Sequence, residues 1–172
     1  MKTKELTLCA LFAALIALCA WICIPIPGIP ITLQTFALFL TLGTAGGRLG
    51  LWVSLGYLLL GLVGLPVFTG FQGGIGVLLG PTGGFLLSFP LIAGCYWCIT
   101  GLSRGKGKLI AMVAGQLLCY TAGCLWYWGL YLKGSGSLWA AVAQCVLPYL
   151  AGDGTKLLLA WWLSRRVKPM SA

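Results

Sequence analysis

The sequence predicts an all-α integral membrane protein of six transmembrane helices, forming one domain over residues 1–172 with both termini on the cytoplasmic side. Three observations predict it. Hydrophobic residues make up 60% of the chain and charged residues only 8%, where a soluble domain carries about a quarter charged. The apolar residues fall into runs suited to a hydrocarbon core about 30 Å thick, which needs about 20 residues of helix. The basic residues gather at the ends of those runs, and mostly on one side. With an inside N-terminus, the inside ends hold Lys2, Lys4, Arg48, Arg104, Lys106, Lys108, Arg165, Arg166 and Lys168, while the outside ends hold Lys133. That excess of inside Lys and Arg sets the orientation and supports an even number of spans.

The first span is Leu6–Ile24. It is too long for an ordinary signal-peptide core and no convincing cleavage site follows it, so it is expected to remain in place. Pro25, Pro27 and Pro30 then end the helix, because three prolines in six residues cannot sustain one. The second span runs from Ile31 to about Ala45, Gly46–Arg48 turns the chain, and the third span covers Leu49–Val63. Gly64–Gly80 is apolar but dense in glycine, and each glycine lowers helix stability by about 1 kcal/mol relative to alanine. It reads as an ordered outer loop between the third and fourth helices, with Phe68 and Phe71 exposed. Pro81 opens the fourth span, to about Gly101, since proline suits a first helical turn. Ser103–Lys108 is a basic loop, the fifth span covers Leu109 to about Tyr131, and Lys133–Ser137 is a flexible turn. The sixth span is read as continuous from Leu138 to Leu163. The Pro25–Pro30 and Gly64–Gly80 loops fall together on the outer face.

The formal net charge of +9 does not indicate a nucleic-acid partner, because the charges form small clusters at segment ends rather than a stripe along one face. The eight cysteines all lie in apolar runs, where they act as small hydrophobes and imply no disulfide framework. No metal site and no catalytic group are expected: there is no histidine, and no second buried carboxylate accompanies Asp153. Cys95 and Cys98 have redox-dithiol spacing without the βαβ setting that gives it force.

The residue that asks for a function is Asp153. The chain has two acidic residues, and this one lies inside the sixth apolar run. A charge at a bilayer centre costs about 2.5–3.5 kcal/mol on insertion scales. Lys156 follows at i+3, so on a helix both side chains leave from nearly one face. Gly152 and Gly154 remove bulk on either side, which favours a ligand site over a mere tether between helices. Gln34 and Thr35 at the outer end of the second span serve equally well as interhelical hydrogen-bond partners or as ligand contacts. Small residues at Ala10, Ala13, Ala14 and Ala17 allow another helix to approach the first span closely.

The motifs Ile31–Phe36 (ITLQTF), Gly46–Gly50 (GGRLG), Tyr57–Phe68, Gly80–Phe85 (GPTGGF) and Pro148–Lys156 (PYLAGDGTK) together resemble the BioY family, the biotin-specific S components of energy-coupling-factor (ECF) vitamin transporters. The resemblance covers nearly the whole chain in order. It implies six helices in a bacterial plasma membrane, a multi-pass topology, and a biotin pocket open to the outside. It implies membrane lipid, a T component and two ABC-type ATPases as partners, with biotin as transported ligand and no cofactor. By the same resemblance Asp153 and Lys156 contact biotin. Phe68, Gln72, Gly73, Pro81, Thr82 and Gly83 contribute from the loop and the start of the fourth helix, with Tyr149 from the last motif and Gln34 and Thr35 from the second helix. The helix face with Ala10, Ala13, Ala14 and Ala17 meets the T component. The loop has no acidic or basic residue, and Gln72 is its one amide. The rival readings are an S component for another small vitamin, a small membrane enzyme using Asp153 as acid or base, and a structural protein held by an ion pair.

Overall fold

The computed structural model describes residues 3–26, 29–103, 107–131 and 137–167. Helix α1 spans Thr3–Trp21, α2 Gln34–Ala45, α3 Gly47–Leu62, α4 Ile75–Leu78, α5 Gly83–Leu102, α6 Lys108–Trp126, α7 Leu138–Cys145 and α8 Leu150–Arg166. Three helical stretches, Thr3–Trp21, Gly83–Leu102 and Lys108–Leu130, are long and apolar enough to cross a membrane, while α2 and α3 are apolar but shorter. The third of these stretches continues α6 into a wider π turn at Tyr127–Tyr131.

The proline-rich segment after α1 is bracketed by a small element that the periodicity does not announce. Cys23–Ile24 (β1) and Ile31–Thr32 (β2) pair as two antiparallel strands, in register Cys23 with Thr32 and Ile24 with Ile31. Prolines forbid the helix but leave the residues flanking them free to satisfy each other's backbone.

Helix α2 is the centre of the bundle. Nine of its twelve residues are buried, including Thr41 and Thr44, whose hydroxyls donate back to the carbonyls of Ala37 and Leu40 at 2.7 Å each. The core joins α1, α2, α3, α5, α6 and α8 through Ile16, Leu38, Phe39, Leu42, Val53, Phe89, Ile92, Met112 and Leu157. Close helix approach depends on glycine at two points. A Cβ at Gly43 falls 2.5 Å from Ser164 of α8, and a Cβ at Gly47 falls 2.5 Å from the Trp97 backbone of α5. A smaller cluster of Cys124, Tyr127, Ala141 and Cys145 joins α6 to α7.

The sixth run is not the single helix expected from its hydropathy. It divides into α7 and α8 around Val146–Tyr149. Pro148 explains the break, because it lacks an N–H and drives the residue before it away from helical geometry. The division moves Asp153 from mid-helix to the first turn of α8.

The glycine-rich segment between α3 and α5 holds a 3-10 turn at Thr69–Phe71 and the short helix α4. Gly64, Gly70 and Gly74 adopt φ of +104°, +71° and +91°, a region that side chains resist. Trp21 closes this loop onto α1: its ring stacks on Phe71 at 4.7 Å and its Nε1 donates to the Pro66 carbonyl at 2.9 Å. Phe68 is a correction to the sequence reading. It is fully buried and packs edge-on against Tyr57 at 5.5 Å, in a notch left by Gly61, where a Cβ would strike its ring.

At the opposite end Lys108 Nζ donates to the Gly43 carbonyl at 3.2 Å. Arg165 and Arg166 lie over the rings of Trp161 and Trp162, each 5.0 Å from the centroid. Lys2, Arg104, Lys106, Lys133 and Lys168, which the orientation argument also uses, lie outside the described residues.

Candidate functional site

A cavity of about 550 Å³ opens between the proline-flanked hairpin, the glycine-rich loop and the ends of α2, α5, α6 and α8. It is mostly apolar, with Ile29, Ile31, Val77, Phe85, Leu86 and Phe89 on its walls. Its volume lies within the roughly 300–1,000 Å³ typical of small-molecule sites.

Asp153 is the polar focus. Only 9% exposed, it accepts three hydrogen bonds from side chains. Lys156 Nζ reaches Oδ1 at 2.9 Å, while Tyr120 OH and Gln116 Nε2 of α6 reach Oδ2 at 2.8 and 3.2 Å. A buried carboxylate survives only with such company. Its place in the first turn of α8 adds the favourable end of the helix dipole. The i+3 spacing of Asp153 and Lys156 does form an ion pair on one helix face. Gln116 and Tyr120 were missed in the sequence. Their signal was an amide and a hydroxyl four residues apart in an otherwise apolar span, hence on one helix face.

Two residues of the cavity wall each carry a side-chain oxygen with no hydrogen-bond partner among the described residues. Thr35 Oγ1 and Gln116 Oε1 are buried and unpartnered, and both residues line the cavity. A buried group left this way costs about 1–3 kcal/mol.

Gln34 lines the cavity but is already committed. Its Nε2 donates to Tyr57 OH at 2.7 Å, and its Oε1 accepts from Thr32 Oγ1 at 3.1 Å and Thr69 Oγ1 at 3.5 Å. Tyr57 OH continues to the Val67 carbonyl at 2.9 Å. Gln34 therefore ties the hairpin, α3 and the glycine-rich loop together. Tyr149 likewise lines the cavity while its hydroxyl donates to the Ile29 carbonyl.

Of the residues singled out from the sequence, Asp153, Lys156, Gln34, Thr35, Gln72, Pro81, Thr82 and Tyr149 all line this cavity. Phe68, Gly73 and Gly83 do not. Phe68 is core, and the two glycines are pressed against backbone: a Cβ at Gly73 falls 2.3 Å from the Leu65 carbonyl oxygen, and one at Gly83 collides with that of Leu78. The four alanines of α1 separate into two pairs. Ala13 and Ala17 are buried within the fold, and Ala10 and Ala14 are exposed. The four therefore do not share one outer face: Ala13 and Ala17 pack inside the fold, and Ala10 and Ala14 do not.

The chain is similar to known proteins in both sequence and fold. The sequence pattern of the BioY family matches residues 1–172. A probable biotin transporter BioY of Pyrococcus horikoshii is 43% identical over 120 residues, 70% of this chain and 72% of that one. The biotin transporter BioY of Thermotoga maritima is 47% identical over 88 residues, about half of each chain (51% and 52%). A crystal structure of the S-component for biotin from an ECF-type ABC transporter superposes with a TM-score of 0.85 at 27% identity, covering 96% of this chain and 90% of that one.

Proposed function

The chain belongs to the BioY family, and from that premise we propose that it is the biotin-capturing S component of an ECF-type ABC transporter, a transport subunit rather than an enzyme. The observation that carries this is one mostly apolar cavity lined by the paired Asp153 and Lys156 and by Thr35 and Gln116, whose side-chain oxygens have no partner among the described residues.

Biotin offers what that wall lacks. Its ureido ring presents two N–H donors and a carbonyl. Asp153 has accepted three bonds out of about four sites on its two oxygens, and Gln116 Oε1 has accepted none. Those two sites receive the ureido N–H groups. Lys156, with three donors and one used by Asp153, donates to the ureido carbonyl. Phe85, Leu86 and Phe89 cover the apolar bicycle. A site built this way rejects analogues that lack a donor, because its own polar groups are then left unpaired.

The chain acts as one transmembrane domain crossing a bacterial plasma membrane six times, with cytoplasmic termini and the cavity facing outward. Support comes from the placement of Arg48, Lys108, Arg165 and Arg166 at the end away from the glycine-rich loop. Delivery inward runs through a T component and two ATPases, as the family resemblance implies; the sequence holds no phosphate-binding loop, so if ATP powers the step its site lies on another polypeptide. Ala10 and Ala14 supply the small, exposed face of α1 for the T component.

Titration of the purified protein with biotin, followed by competition with a panel of other vitamins, tests the proposal. Saturable binding that only biotin and its ureido-bearing relatives displace is the expected result. Preference for another vitamin, or turnover of the ligand without partners, contradicts it.

A further inference from the structure

The lining of the cavity passes from buried to exposed residues. Asp153 and Gln116 are only 9% and 7% exposed. Among the described residues of the lining, the exposed ones are Pro25, Gly70, Gln72 and Gly76, and all four are uncharged. They come from the segment after β1 and from the glycine-rich segment, and they form the rim of the cavity. The one cation among the described lining residues is Lys156, which is held by Asp153 at 2.9 Å.

Gly76 adds a second observation. It lies inside α4, where alanine would favour the helix. Its φ is not among the positive ones, and a Cβ there would meet no heavy atom within 4 Å. Neither the backbone conformation nor helix packing calls for glycine at this place. What glycine does here is leave the rim open.

We propose that the rim receives the tail of biotin without reading its charge, so that the chain captures biotin amides, biotinyl-lysine included, nearly as well as biotin. This rests on the ureido reading of the site. With the ureido ring on Asp153 and Gln116, the valerate chain runs along the apolar walls and brings its carboxyl group to the rim. Gln72 carries an amide there, and its N–H is donated alike to a carboxylate, an amide carbonyl or an ester carbonyl. Joining the carboxyl group to an amine removes its charge and lengthens the tail. Neither change leaves a buried protein group unpaired, which is what strong discrimination between ligands requires.

Isothermal titration of the purified full chain with biotin, biotinamide and biotinyl-lysine tests this. Both amides are expected to bind with a Kd within about fivefold of that for biotin. If the carboxylate were instead the partner of Lys156, its loss would weaken binding by about 10–150-fold. A loss beyond fivefold for biotinamide therefore overturns the neutral rim, and one confined to biotinyl-lysine overturns the room beyond it. Gly76→Leu should raise the ratio of the biotinyl-lysine Kd to the biotin Kd by more than about tenfold. Leucine favours a helix more than glycine does, so α4 is retained. A ratio below that overturns the part given to Gly76, and the wild-type titrations decide the ligand class even if the variant fails to fold. Failure of biotin itself to bind overturns the functional reading on which this one rests, and so is distinct from failure of the amides alone.

Discussion

Asp153→Asn is nearly isosteric, yet it replaces the acceptor on which three donors converge. In the native protein Oδ1 accepts from Lys156 and Oδ2 accepts from both Tyr120 and Gln116. The asparagine keeps one acceptor oxygen and turns an NH₂ toward one of these groups. Tyr120 can rotate its hydroxyl and Gln116 can turn its amide, offering the oxygen that is now unpartnered. The fold therefore survives, but the sites offered to the ureido N–H groups are consumed and Lys156 loses its counter-charge. A hydrogen bond to a charged group contributes about 1.5–3 kcal/mol. Its loss weakens biotin binding by about 10–150-fold, at 1.4 kcal/mol for each factor of ten. Isothermal titration of wild type and variant in the same detergent, with a thermal melt of each, reads this directly. A folded variant whose Kd stays within about twofold of wild type, a change of only some 0.4 kcal/mol, refutes the reasoning.

Three further outcomes follow from the same structure. Gln116→Leu removes a neutral acceptor and should weaken biotin binding by about 2–12-fold, the equivalent of 0.5–1.5 kcal/mol, in the same titration. Phe68→Ala should lower stability by about 3–5 kcal/mol in chemical or thermal unfolding, with a smaller effect on the affinity of the folded protein than Asp153→Asn has, because Phe68 is core. A large affinity loss in a stable Phe68→Ala protein would return that ring to the ligand site. Ala14→Trp should leave biotin binding by the purified chain unchanged while abolishing co-purification with the T component and biotin uptake by cells. Normal uptake would remove α1 from the partner interface.

What the sequence made legible was whatever depends on a residue's own chemistry. Asp153 and Lys156 stood out because charge is rare in an apolar chain, and a separation of three residues has one meaning on a helix. The proline-flanked and glycine-rich segments could be bounded because prolines and glycines announce their own boundaries. What escaped depends on partners distant in sequence. Phe68 looked exposed in a glycine-rich loop, and its burial is decided by Gly61 and Tyr57 on α3. Gln116 and Tyr120 drew no notice in an apolar span until α8 brought Asp153 against them. The division of the sixth run was written in Pro148, but hydropathy averages across a break that the backbone cannot. Alternation of buried and exposed positions on α1, which separates Ala13 and Ala17 from Ala10 and Ala14, needs the neighbouring helices to set the face.

A structure of the chain crystallised with biotin tests the central claim most directly. The account predicts the ureido ring inside the cavity, its N–H groups within hydrogen-bond distance of Asp153 and Gln116 Oε1 and its carbonyl on Lys156. Biotin bound elsewhere on the chain, or within the cavity with Asp153 and Gln116 untouched, contradicts it.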